Sequence, residues 1–215
     1  MIEKVNNMQE KIINYEEKIT KYNVILEENK RLKNNLGILQ SIEFSVEYAS
    51  VISNDLLSAD ISFLIDKGER NNIHKNNPVI VVIKGKPVIL GKVMEVYDDT
   101  ARVMTIFNKQ FYIPAKIMGS NNIGLINGMG SNHNYLSMSY IPYAYKNDIK
   151  IGDIVVSSSL SLIFPEGLKI GVVKEIVAND YDSSLKLYIE PYATIGQIED
   201  VFIITKSVKK DEREE

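Results

Sequence analysis

"GKPVILGKVMEVYDDTARVMTIFN", residues 85–108, and "GLKIGVVKEIVANDYDSSLKLYIEP", residues 167–191, share one outline. Each opens on a glycine turn and enters a long β-branched run that carries a second glycine, Gly91 or Gly171. Each then turns through aspartate-bearing residues and returns in a second run. A glycine inside a strand pattern marks a bend or a close backbone approach, the device that turns a barrel corner. The echo predicts two related small barrels. The neighbouring sequence has the same character: "SVEYASVISN", "PVIVVI", "QFYIPAKI", "NIGLING", "NYLSMSYI", "GDIVVSS" and "DVFIITK" are short runs between polar or glycine-bearing turns. No long helical stripe interrupts them, and many short strands at this spacing make barrels or a sandwich.

The expected body is therefore all-β, with a first barrel over 42–120 and a second over 121–206. The Gly/Asn/Ser-rich stretch 118–135 lies between them, and a charged tail runs over 207–215. One alternative stays open. If 45–54 pairs with 200–205, one domain is inserted in the other.

Residues 1–40 follow a different period. They contain no proline, and the first glycine is Gly37. Val5, Met8, Ile12, Tyr15, Ile19, Tyr22 and Leu26 are spaced three and four apart, an a/d seam. Asn29 takes the next d position, where a polar residue sets register. Leu36 belongs to a shifted stripe with Leu32 and Leu39. The reading is a dimerising coiled-coil helix over 1–41, roughly 60 Å long, with these residues at the contact of a parallel homodimer.

Composition narrows the chemistry. The sequence has no Cys and 2 His, so thiolate chemistry and cysteine metal sites are excluded, and His74 and His133 are too far apart in sequence to favour zinc. The formal net charge of −3 and the lack of a basic stripe interleaved with aromatics argue against a nucleic-acid surface. No apolar run approaches the length of a membrane span, and Glu3, Lys4 and Glu10 break any signal-peptide core.

Ser157, Ser158 and Ser159 raise the question of a nucleophile. A serine nucleophile needs a base in hydrogen-bond reach and an oxyanion hole. His133 is the nearest histidine in sequence, and no sharp G-x-S-x-G elbow surrounds the serines. The structural alternative is stronger: Val155 and Val156 end a strand, the serines satisfy turn backbone or face water, and Phe164 and Leu168 pack inward. Asp66, Lys67 and Gly68 read as a glycine turn, and the regular oxygen ladder of a calcium loop is absent. No catalytic residue, metal or cofactor is assigned.

The order of these features resembles the rod shape-determining MreC family: a coil, then "SADISFLIDKGERNNI", "GKVMEVYDDTARVMTI", "GDIVVSS", "FPEGLKIGVVKEI" and "IEPYA". The most specific piece is Gly152, Asp153, Phe164, Pro165, Gly167, Leu168, Ile170, Gly171 and Val173. Two positions depart from the family pattern. A family glycine near Asn72 is missing, and Ser157-Ser158-Ser159 stands where the family has Thr-Ser-Gly. The resemblance implies a non-catalytic scaffold of bacterial cell elongation, linking the actin-like cytoskeleton to peptidoglycan synthesis at the extracytoplasmic (periplasmic) face of the cytoplasmic membrane. It implies a single-pass N-terminal anchor in a longer protein, a homodimer with filament formation, and as partners MreD, MreB, RodA and the elongation penicillin-binding protein. The rival classes are a trypsin-like double-barrel secreted hydrolase and a coiled-coil transport adaptor. Two apolar, glycine-bearing areas are the expected partner sites: Asp66, Lys67, Gly68 and Ile73, and the loop residues Leu162, Ile163 and Phe164.

Overall fold

A computed structural model describes residues 44–55, 61–130, 134–178, 183–194 and 198–207. The seam residues Val5 to Leu36 lie outside the described residues, as does the tail beyond 207. Among the described residues there is no α-helix. Two single-turn 3₁₀ segments, Glu69–Asn71 and Tyr143–Tyr145, are the helical elements there. The expected coiled-coil helix therefore forms no part of the described fold, and no described helix is long and apolar enough to cross a membrane.

Among the described residues twelve strands build one continuous sheet. In chain order they are β1 (Phe44–Asp55), β2 (Ser62–Ile65), β3 (Pro78–Ile83), β4 (Lys86–Val96), β5 (Ala101–Thr105) and β6 (Tyr112–Ile117). They continue as β7 (Ile123–Asn127), β8 (Leu136–Pro142), β9 (Ile154–Ser157), β10 (Lys169–Val177), β11 (Ser184–Pro191) and β12 (Asp200–Ser207). The spatial order is β11-β8-β7-β6-β9-β10-β4-β3-β12-β1-β2-β5, and β4 also pairs with β5. That last pairing closes β4, β3, β12, β1, β2 and β5 into a six-stranded barrel. The other six strands follow in the order β10-β9-β6-β7-β8-β11, and β11 pairs back onto β10 along 171–177, so this outer lobe is a ring of its own.

The expectation of a coiled-coil helix followed by two barrels in series, one over 42–120 and the next over 121–206, is thus corrected. The residues from 43 onward form one compact unit and one continuous sheet, in which the six-stranded barrel and the outer lobe share the β10–β4 junction. A division at residue 120 cuts five of its strand pairings: β1–β12, β3–β12, β4–β10, β6–β7 and β6–β9. The last strand, β12, lies antiparallel to β1 with Val46 opposite Ile204 and Ser50 opposite Asp200, the pairing of the inserted arrangement, and it also meets β3. β6, from before residue 120, pairs with β7 and β9 of the outer lobe. The physical reason is closure. A barrel must satisfy the edges of its first strand, and the complementary edge comes from the far end of the chain.

Local sequence explains the strands themselves. β6 and β7 alternate buried and accessible residues, the mark of a sheet with one covered face. "PVIVVI" of β3 opens with four consecutive buried residues, Pro78 to Val81, which suits a strand covered on both faces. The two echoed glycines do what the pattern predicts. A Cβ on Gly91 would stand 2.1 Å from the Met104 carbonyl oxygen, and one on Gly171 would stand 2.2 Å from that of Glu190. Each glycine lets a bent strand approach its hairpin partner closely, and β4 and β10 each pair with three neighbours. Ile80, Ile89 and Val103 fill the barrel core; Ile113, Met138 and Leu187 fill the outer lobe.

Candidate interaction surfaces

The Asp66-Lys67-Gly68 turn is a brace. The Asp66 carboxylate accepts the Ser50 N–H at 2.8 Å, and the Asp66 N–H donates to the Ser50 carbonyl at 3.1 Å. These bonds tie the end of β2 to β1. Glu69 and Arg70 N–H groups then donate to the Tyr97 and Asp98 carbonyls at 2.9 and 3.1 Å. The turn is thereby seated on the β4–β5 hairpin, and the Arg70 guanidinium bonds the Asp99 carboxylate at 2.9 Å. Gly68 is buried at this contact, and a Cβ there would fall 2.2 Å from the Tyr97 carbonyl oxygen. Ile73 is fully buried, so it anchors the turn from inside and offers no outer surface. Asp66 is exposed and Lys67 half-buried. Asn72 takes the left-handed conformation, φ 57°. Asparagine is the non-glycine residue type that tolerates this region best.

The loop after β9 is held by its serines. The Ser157 hydroxyl accepts the Leu168 N–H at 2.9 Å and donates to the Pro165 carbonyl at 2.6 Å. The Ser158 hydroxyl accepts the Leu160 N–H at 3.2 Å, and the Ser161 hydroxyl accepts the Phe164 N–H at 2.9 Å. Ser157 and Ser158 are fully buried. Their oxygens are occupied by the loop's own backbone, so they close a turn and are not poised as nucleophiles. His133 lies outside the described residues. Phe164 is 3% exposed and meets the Phe111 ring edge-on at 5.9 Å between centroids. It plugs the outer lobe, and Ile163 is half-buried. Leu162 is 96% exposed, and Leu160, which sequence reasoning did not single out, is 63% exposed. Tyr112 of β6, the strand paired with β9, is also exposed. Nothing in the spacing of "SLSLIFPEGL" tells which apolar residue turns inward, because an irregular loop has no period. Across the loop Lys116 forms an ion pair with Glu166. Among the described residues no cluster of His, Asp and Glu is arranged to hold a metal ion.

A sheet braced by buried, backbone-bonded serines, with apolar side chains displayed on a fixed loop, describes a β scaffold for protein contacts. Residues 51–205 match the family model "Rod shape-determining protein MreC, barrel core". The chain is 28% identical over 197 residues to the cell shape-determining protein MreC of Bacillus subtilis, a match that spans 88% of this chain and 67% of the relative. The solved MreC of Listeria monocytogenes superposes with a TM-score of 0.69 at 25% identity, over 94% of this chain and 95% of that one. The Helicobacter pylori MreC, solved in complex with a penicillin-binding protein, shares the fold with a TM-score of 0.57 at 18% identity, over 75% of this chain and 99% of that one. The chain belongs to the rod shape-determining MreC family. It is a non-catalytic scaffold of the cell-elongation machinery, linked to peptidoglycan synthesis, and works on the extracytoplasmic side of the cytoplasmic membrane.

Proposed function

We propose that this scaffold binds the transpeptidase of the elongation machinery through the loop 158–168. The observation that carries the reading is Leu162, 96% exposed on a loop pinned by three serine hydroxyls. A preorganised loop loses little freedom on binding, and a fully exposed apolar side chain gains most from being covered. The H. pylori relative, seen with a penicillin-binding protein, supports the choice of partner class. The Asp66-Lys67 turn is the second contact area, with Ile73 as its internal support and Phe164 as the plug beneath the loop. MreD, RodA and MreB are the further members of the assembly in this reading. Copies self-associate through the apolar spacing Val5, Met8, Ile12, Tyr15, Ile19, Tyr22, Leu26, Asn29 and Leu36, and filaments follow from the same tendency.

Two measurements test it. Leu162→Asp is expected to weaken binding to the purified elongation transpeptidase about tenfold or more, as for a hot-spot side chain, with an unchanged unfolding temperature. Unchanged binding would remove this loop from the interface. Replacing Ile12 and Ile19 together by Glu is expected to halve the mass seen by sedimentation equilibrium, and an unaltered mass would dismiss the seam.

A further inference from the structure

At the seam where the outer lobe leaves the barrel, β10 meets β4 through one parallel pairing, Lys169 opposite Val88. On its other side Lys169 stands opposite Val156 of β9, which stands opposite Lys116 of β6. Residues directly opposite in a ladder project to the same face. Lys169 therefore shares a face with Val88 and with Lys86, two residues earlier on β4. Lys86 follows a two-residue turn, Lys84 and Gly85, with φ of 48° and 76°, and Lys84 and Lys86 are both exposed. The Lys169 ammonium lies over the Tyr192 ring, 5.7 Å from its centroid. Burial first, and then the charge and hydrogen bond of neighbouring Lys86, hold the Lys169 amine below its usual range.

Like charges side by side disfavour each other. Lys116, Lys174, Arg70 and Arg102 each have a carboxylate partner: Glu166, Glu190, Asp99 and Glu95. Among the described residues no carboxylate forms an ion pair with Lys84, Lys86 or Lys169. An anion placed between Lys86 and Lys169 would relieve their repulsion. The site is small. It has no arginine fork, and the next cation along the row, Lys116, is already engaged by Glu166. A polyanion would need a longer basic track than this. One isolated carboxylate beside a sugar or aliphatic group fits better, with the Tyr192 ring as the wall for its uncharged part.

We propose that the Lys86–Lys169–Tyr192 seam is a carboxylate-binding site for the stem peptide of peptidoglycan. The choice of ligand rests on the family's place beside peptidoglycan synthesis; the choice of site rests on the two lysines and the ring. The test uses the whole chain and a soluble disaccharide-tetrapeptide muropeptide, with binding read by calorimetry. The muropeptide is expected to bind, and the same muropeptide with its carboxylates amidated to bind about tenfold more weakly, since a charge-assisted hydrogen bond is lost. Lys86→Gln, whose side chain is exposed, and the double variant with Lys169→Gln are expected to weaken binding to the same degree. Lys174→Gln, away from the seam, should bind normally. Equal binding of the amidated form, or undiminished binding by the double variant, would overturn the proposal. So would equal binding of pyrophosphate or a poly-glutamate peptide, which would reveal a general anion patch. The double variant should still bind the transpeptidase, so failure here is separable from failure of the loop 158–168 reading.

Discussion

Gly68 shows how much one missing Cβ can decide. Its neighbours at the contact are backbone atoms, the Tyr97 and Asp98 carbonyl oxygens and the Thr100 nitrogen, all within 2.7 Å of where a Cβ would be. Backbone cannot swing aside as a side-chain tip can. Gly68→Ala is therefore expected to cost about 1–3 kcal/mol, as overpacking does, seen as a lower midpoint in urea denaturation. A midpoint equal to that of the parent protein would mean that the turn is not seated as described. Asn72, a few residues on, is constrained by conformation and not by space. Asn72→Val is expected to cost about 1–2 kcal/mol because a branched side chain is poorly tolerated at positive φ, while Asn72→Gly should leave stability nearly unchanged. If Val and Gly behave alike, left-handed strain is not the cause. The glycine turn was legible in "IDKGERNNI"; that its glycine sits beneath a hairpin almost thirty residues away was not, because no local pattern records which backbone comes to rest on it.

At the scale of the element, the loop 158–168 separates two roles that look alike in sequence. Leu162 and Phe164 are two residues apart and both apolar, yet one is 96% exposed and the other 3%. Ser157 and Ser161 set this by fixing the Leu168 and Phe164 N–H groups. Ser157→Ala leaves the Leu168 N–H without that acceptor in a buried setting and should cost about 1–3 kcal/mol. Phe164→Ala opens a cavity beside Phe111 and should cost about 3–5 kcal/mol. Thermal unfolding monitored by circular dichroism measures both, set against Leu162→Ala, a surface change expected within about 0.5 kcal/mol. If Phe164→Ala proved as mild as Leu162→Ala, the plug would be misassigned. The sequence reading assigned the serines to backbone bonding at a turn, which holds for Ser157, at the end of β9, and for Ser158, since serine oxygens readily bond nearby backbone. It left Phe164 between an interface anchor and a plug of its barrel, and the Phe111 ring across the lobe decides for the plug.

For the whole molecule, closure is the governing constraint. β12 enters between β1 and β3 and brings Val201, Phe202, Ile203 and Ile204 into the core. A fragment 42–120 lacks that strand, and a fragment 121–206 lacks β6, which β7 and β9 both require. Neither fragment is expected to fold by itself, because each exposes unpaired strand edges and a stripped core. Poorly dispersed proton–nitrogen spectra of each fragment, set against well-dispersed spectra of the intact chain, would bear this out. A well-dispersed spectrum from either fragment would show that the lobes are independent after all. What the sequence determined by itself is what local physics can encode: β-branched alternation, turn residues, and the glycines at 91 and 171 where strands must bend. These signals act within about ten residues, so they read directly from the chain. The tertiary structure alone decided which distant edges meet, because β1 and β12 carry no mark of each other beyond being strands in need of partners. It also decided which apolar side chains of an irregular loop turn inward, and it brought Lys86 and Lys169 together, since their meeting depends on where β10 lands on β4.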